Sequence, residues 1–251
     1  MRKPIAILTL LGLPLLLAAC GGASSSAPNS AAEGAWSGTD SWGNTVSTLV
    51  LENGKYYAMY GTTKAGNFVL QGFDQGAPTL NDSALNGAIT QYDSALPPVP
   101  ATLQATAVAG SSLQGAITNT AGTASGTFTA TPLSAKFTGY DYNTPASASD
   151  VAGNWTVSTP NSSAEKITIS ATGSVTGSIN GCSFSGTVSP RSTGKNVLDM
   201  DLLFGPSPCA KANQAVSGIA LGYELGNGKR QLLAALQDPK RAYGYSFSAQ
   251  Q

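Results

Sequence analysis

The chain has 251 residues with 13 basic and 13 acidic side chains, no histidine, and charged residues at only 10% of its length. With no basic excess it lacks the electrostatic footprint of a nucleic-acid-binding protein, and nucleic acid is set aside as a partner. Without histidine, a Ser-His-Asp or Cys-His nucleophile and a histidine metal site are excluded. Apolar residues make up 41% and Gly, Ala, Ser, Thr and Val dominate, a profile of many short strands and turns rather than of disorder.

Arg2 and Lys3 form a short positive start, and Ile5 to Leu17 is an apolar run broken only by Thr9, Gly12 and Pro14. That run is too short to span a bilayer, and Gly12 and Pro14 weaken any helix through it. Small residues Ala18 and Ala19 follow, so Met1–Ala19 reads as a signal peptide. Leu17-Ala18-Ala19-Cys20 resembles the lipobox of bacterial lipoproteins. The resemblance implies that Cys20 takes a diacylglycerol through a thioether, that cleavage occurs before it, and that its new amine receives a fatty acid such as palmitate. Two or more acyl chains are what stable anchoring needs. Gly21, where an Asp would favour inner-membrane retention, resembles the outer-membrane class. Removal of Arg2 and Lys3 leaves 11 basic against 13 acidic residues, a net charge near −2.

Export places Cys182 and Cys209 in an oxidising compartment, where a disulfide between them is expected. Closing a loop of about 28 residues stabilises by roughly 3–4 kcal/mol in the chain-entropy model. A reactive or metal-binding thiol lacks support, because there is no Cys-x-x-Cys and no histidine.

From Cys20 to Glu33 the Gly/Ser/Ala-rich sequence reads as a flexible lipidated tether. Short alternating runs then begin. Thr45–Leu51 and Lys55–Tyr60 flank Glu52-Asn53-Gly54, a hairpin signal. Asn67–Gly72, Ala84–Tyr92, Thr102–Ala109, Ser112–Asn119 and Thr123–Thr131 continue the series, and Lys136–Tyr140 is expected to add a strand. Asp141–Asp150, polar and holding Pro145, reads as a linker between domains at 34–140 and 151–251. The second half offers Trp155–Ser158, Lys166–Ser170, Ser174–Asn180, Cys182–Ser189, Val197–Phe204, Gln214–Leu225, Gln231–Leu236 and Ala242–Ser248. Arg230–Leu236 would make a fair helix alone, but its shortness and Asp238-Pro239 favour a strand. In Val197–Phe204, Leu198, Met200, Leu202 and Phe204 share the core face, leaving Asp199 and Asp201 wet.

Both halves open on Gly-x-Trp, at Gly34-Ala35-Trp36 and Gly153-Asn154-Trp155, and both run through about eight strands, the pattern of a tandem duplication. Gly-x-Trp on the first strand is similar to the lipocalin opening, where the Trp plugs one end of a barrel. The expected fold is therefore all-β, with two consecutive antiparallel barrel-like units. Three segments carry a wider resemblance to a family of uncharacterised proteobacterial lipoproteins: Gly34–Thr39, Leu49–Tyr57 and Gly181–Arg191. It implies a lipid-anchored β-protein without an established activity.

Two clusters remain as chemistry. Asp199 and Asp201 lie about 7 Å apart on one strand face, a spacing open to acid–base work, but nothing flanking them supplies an apolar pocket. Tyr56 and Tyr60 share one face of their strand, with Tyr57 and Met59 on the other, and Trp36, Trp42, Phe68 and Phe73 are near in sequence. One set packs inside, and the other is either plain core and surface or a partner-binding face. A membrane-spanning barrel is disfavoured, since the strands are short and an anchor would be redundant. No phosphate loop or dinucleotide fingerprint appears, so no cofactor is expected. The expectation is a non-enzymatic envelope protein, lipid-anchored through Cys20, that binds a protein or a small apolar ligand. A structural or assembly accessory of the outer membrane and a carboxylate-dependent hydrolase are the alternatives.

Overall fold

A computed structural model describes residues 30–251 apart from 65–66, 94–95, 121, 123–124, 159–164 and 227. The signal peptide, Cys20 and the tether up to residue 29 lie outside the described residues. The first unit contains β1 (Gly34–Asp40), β2 (Thr45–Val50), β3 (Tyr56–Lys64), β4 (Asn67–Gly76), β5 (Thr79–Asn81), β6 (Ala84–Asp93), β7 (Val99–Val108), β8 (Ser112–Asn119) and β9 (Ser125–Pro132). Neighbours pair antiparallel; β4 pairs with β6 and β1 with β9, so the sheet closes into an eight-stranded barrel with the short β5 outside it on β6. The second unit closes likewise through β10 (Gly153–Ser158), β11 (Glu165–Ile169), β12 (Ser174–Ile179), β13 (Cys182–Pro190), β14 (Leu198–Phe204), β15 (Ala215–Glu224), β16 (Arg230–Gln237) and β17 (Gly244–Gln250). The protein is thus two consecutive antiparallel β-barrels.

Each barrel is filled by the inward half of its alternating residues. Barrel 1 packs Trp36, Val46, Val50, Leu85, Leu103 and Leu113 inside, and barrel 2 packs Trp155, Ile167, Val175, Met200, Leu202 and Phe247. On β14, Leu198, Met200, Leu202 and Phe204 are buried while Asp201 is exposed, as alternation dictates. The two opening tryptophans play matching parts. Trp36 Nε1 donates to the carbonyl of Ala32 at 2.9 Å, and Trp155 Nε1 donates to that of Val151 at 2.8 Å. Gly34 and Gly153 both take positive φ, +151° and +132°, a conformation that favours glycine.

Three stretches differ from the sequence expectation. The last residues of the tether, Ser30–Glu33, belong to the folded unit: Ala32 is fully buried and Glu33 nearly so, because Trp36 needs the Ala32 carbonyl. Lys136–Tyr140 is no strand. Leu133–Lys136 forms one helical turn, α1, with Leu133 buried and the Phe137 N–H closing on the Leu133 carbonyl. The linker 141–150 is packed rather than merely polar. Tyr142 is buried and donates to the Val50 carbonyl at 3.3 Å, and Ser147 and Asp150 form a capping box on the 3-10 turn Ala148–Val151.

A third apolar cluster joins the barrels. It brings the outward residues Leu49, Tyr57, Met59 and Phe73 of barrel 1 against Val197, Ile219, Leu221 and Leu233 of barrel 2, with Tyr140 and Tyr142 of the linker between them. At its edge Arg191 is held by both Glu52 and Asp199, and Lys195 pairs with Glu33 at 2.9 Å. The Cys182–Cys209 disulfide is formed, with an S–S distance of 2.05 Å, and ties β13 to the loop after β14.

Candidate functional site

The aromatic residues of β3 divide as alternation requires, but neither set is left as a free surface. Tyr57 and Met59 face the barrel–barrel cluster, so the partner for that face is the second half of the same chain. Tyr56 and Tyr60 point into barrel 1, where the inner end of the barrel is not filled.

There a cavity of about 130 Å³ opens beside Trp42, at the end of β1 opposite Trp36. Its walls include Tyr56, Tyr60, Phe128, Ile117 and Asp74. The rim is the turn between β1 and β2. Asp40 Oδ1 accepts from the Trp42 N–H at 3.0 Å and the Asn44 N–H at 2.8 Å, and its Oδ2 accepts from Asn44 Nδ2 at 2.8 Å. The Ser41 N–H donates to the Thr127 carbonyl of β9 at 2.8 Å, which fixes the rim to the wall. Trp42, 61% exposed, leans its ring against Gly126, where a Cβ would meet the indole at 2.0 Å. Gly72 does the same for Tyr60, whose hydroxyl would lie 2.5 Å from an added Cβ. Two glycines thus seat the two rings that shape the cavity.

Asp74 is the unusual member. It sits on β4 between Ala58 and Gln91, 3% exposed, and its Oδ1 has no hydrogen-bond partner among the described residues. Burial raises its pKa to about 7, the Gln91 hydrogen bond opposes this, and the Asp40 charge adds to it. Burial, together with the Asp74 charge, pushes the Tyr56 and Tyr60 hydroxyls well above the usual phenol range, so both rings stay neutral.

A β-bulge turns Asp74 inward. Tyr60 pairs with Gly72 but Gly61 pairs with Leu70, so Gln71 is the extra residue. Strict alternation would put Phe68, Leu70 and Asp74 on one face. The bulge instead leaves Phe68, Leu70 and Phe73 together at the barrel–barrel cluster and points Asp74 the other way.

Asp199 and Asp201, the carboxylate pair singled out in the sequence, line a groove of about 430 Å³ between the barrels with Arg191 and Lys55. Asp199 is ion-paired with Arg191, itself shared with Glu52, and Asp201 is exposed, so neither has the apolar surroundings that an acid catalyst needs. Among the described residues no three His, Cys, Asp or Glu side chains gather to hold a metal ion. Asp40 and Asp74, which line the cavity, are the residues that sequence reasoning missed, and alternation along β4 alone gave no signal for Asp74. No family model and no curated protein matches the chain.

Proposed function

We propose that the protein is a lipid-anchored binding protein of the bacterial envelope, whose first barrel takes a small ligand into the cavity beside Trp42. The observation that carries this reading is the buried Asp74 on the wall of a space with aromatic sides, its Oδ1 without a hydrogen-bond partner among the described residues, because polar atoms without partners are rare in packed interiors. A ligand donor there would satisfy the one carboxylate oxygen that lacks a partner among the described residues. The acid also changes the kind of ligand expected, from purely apolar to one carrying a hydrogen-bond donor. The anchor rests on the lipobox-like Leu17-Ala18-Ala19-Cys20 and the outer-membrane assignment on Gly21.

A second reading, a hydrolase, is favoured by one feature: Asp40 and Asp74 line the same cavity in unlike surroundings. Against it, both oxygens of Asp40 are engaged by the rim turn, which suits a scaffold more than a nucleophile or base.

The test is to purify the chain from its own membranes and extract bound small molecules for mass spectrometry. A molecule recovered in stoichiometric amount from wild type, and lost from Trp42→Ala, supports the reading. Cys20→Ala is expected to move the protein from the membrane fraction to the lumenal or secreted fraction; continued tight membrane association would refute the anchor.

A further inference from the structure

We propose that the cavity of barrel 1 binds a small organic ammonium ion, with Asp74 as its counter-charge and Trp42, Tyr56, Tyr60 and Phe128 as aromatic walls. This rests on the reading of barrel 1 as a ligand-binding unit and names the class of ligand.

The sign of the charge comes from the lining. Among the described residues its only charged side chains are Asp40 and Asp74, both acidic. The two carboxylates differ in what they offer. Asp40 has its oxygens bonded to the rim, so it contributes negative potential at the mouth and no open acceptor. Asp74 lines the cavity and its Oδ1 is buried without a hydrogen-bond partner among the described residues, so it is the atom that can serve as the acceptor. A buried carboxylate without a cation is costly, and an ammonium group that donates to it removes that cost in a way a neutral donor does not.

The organic character of the cation comes from the rest of the wall. Ring faces carry negative quadrupole charge and attract alkylammonium groups, which are held in aromatic cages of this composition. Val46, Ala58 and Ile117 complete the lining with hydrocarbon. A bare divalent ion would find one free carboxylate oxygen where it needs six or so. Methyl or methylene groups find apolar contact. A cavity of this order admits a molecule of benzene size, so a whole small amine or the head of a longer one fits, with Trp42 over the remainder.

The geometry also sets a pH dependence. Tyr56 and Tyr60 from β3, Asp40 from the rim and Gln91 from β6 face Asp74. The tyrosines are neutral across the accessible range, so Asp74 governs binding near neutrality. Ammonium affinity therefore rises as pH goes from 6 to 8 and levels off above, whereas a ligand that accepts a hydrogen bond from the protonated acid would show the reverse.

The experiment is calorimetric titration of the purified full chain with tetramethylammonium and propylammonium chlorides, at constant ionic strength. The neutral isosteres tert-butanol and propanol serve as comparison. The expected result is saturable binding of at least one ammonium salt, weakened tenfold or more in Asp74→Asn and in Trp42→Ala, and strengthened several-fold in wild type from pH 6 to pH 8. The pH series needs no substitution and stands even if a variant misfolds. Equal affinity for the neutral isosteres, or an Asp74→Asn protein that binds ammonium unchanged, overturns the cation assignment and leaves the ligand-binding reading intact. If none of the four probes binds while the membrane-purified protein still carries a molecule lost from Trp42→Ala, the cation assignment alone falls. If it carries none either, both fall.

Discussion

At the residue scale the instructive side chain is Asp74, because its position costs stability that a packing residue would not. Its folded pKa, about 7, lies above the ordinary 3.8. The folded state therefore holds a proton that the unfolded chain releases at lower pH. Stability from this group is full below about pH 4 and is lost as pH rises through 7. Asp74→Asn removes the charge and keeps the shape. It is expected to stabilise the protein by on the order of 2–4 kcal/mol at pH 8, by progressively less as pH falls below 7, and by little at pH 4 and below, measured by urea unfolding across that range. An unchanged stability at pH 8 would show that Asp74 carries no burial penalty there. Part of this site was legible in the sequence. Tyr56, Tyr60 and Trp42 stood out as an aromatic group, and alternation sorted Tyr56 and Tyr60 onto one face. Asp74 was not, because its direction depends on the bulge at Gln71, and a bulge is set by pairing with β3 rather than by its own strand.

At the scale of elements, β16 explains why one segment looked helical. Its residues Leu232, Ala234 and Leu236 fill barrel 2, while Leu233 and Ala235 face barrel 1. A strand buried on both sides has no reason to alternate, so its sequence reads as a continuous apolar run. The exposed strands kept their period. On β12, Ser174, Thr176 and Ser178 face out while Val175 and Ile179 are buried. The two faces of β16 predict different consequences from those of β12. Leu233→Ala removes a fully buried side chain from the joining cluster and is expected to cost about 2–4 kcal/mol, whereas Thr176→Ala should change stability by less than about 0.5 kcal/mol. Chemical denaturation of the two variants checks this, and a Leu233→Ala loss as small as that of Thr176→Ala would mean the barrels do not hold each other. The strand expected at Lys136–Tyr140 failed for a related reason. Phe137 contacts Tyr223 of the other barrel, and that tertiary contact, invisible in a local window, outweighs the strand propensity of Phe137 and Thr138.

For the whole molecule, the question is whether two barrels make two folding units or one. The duplication was readable from Gly-x-Trp and from the rhythm of strands, and both tryptophans anchor their barrels by the same hydrogen bond. How the barrels meet was not readable, because the residues that join them are scattered over β2, β3, β4, β15, β16 and the linker. The Glu33–Lys195 pair gives the most direct probe. Both side chains are only 2% exposed, and Lys195 also donates to Asn143 Oδ1 at 2.9 Å and lies 5.3 Å from the Tyr142 ring centre. The pair thus links the start of barrel 1, the linker and a loop of barrel 2. Removing one partner leaves a buried charge without its counter-ion, so Lys195→Met or Glu33→Gln by itself is expected to cost about 3–5 kcal/mol. Removing both leaves no uncompensated charge, so the double variant should lose less than the two single losses combined. If the barrels fold as one unit, calorimetry on each variant shows a single transition that moves as a whole. If they fold separately, the transition splits, and the barrel that keeps its own core intact melts where it did before.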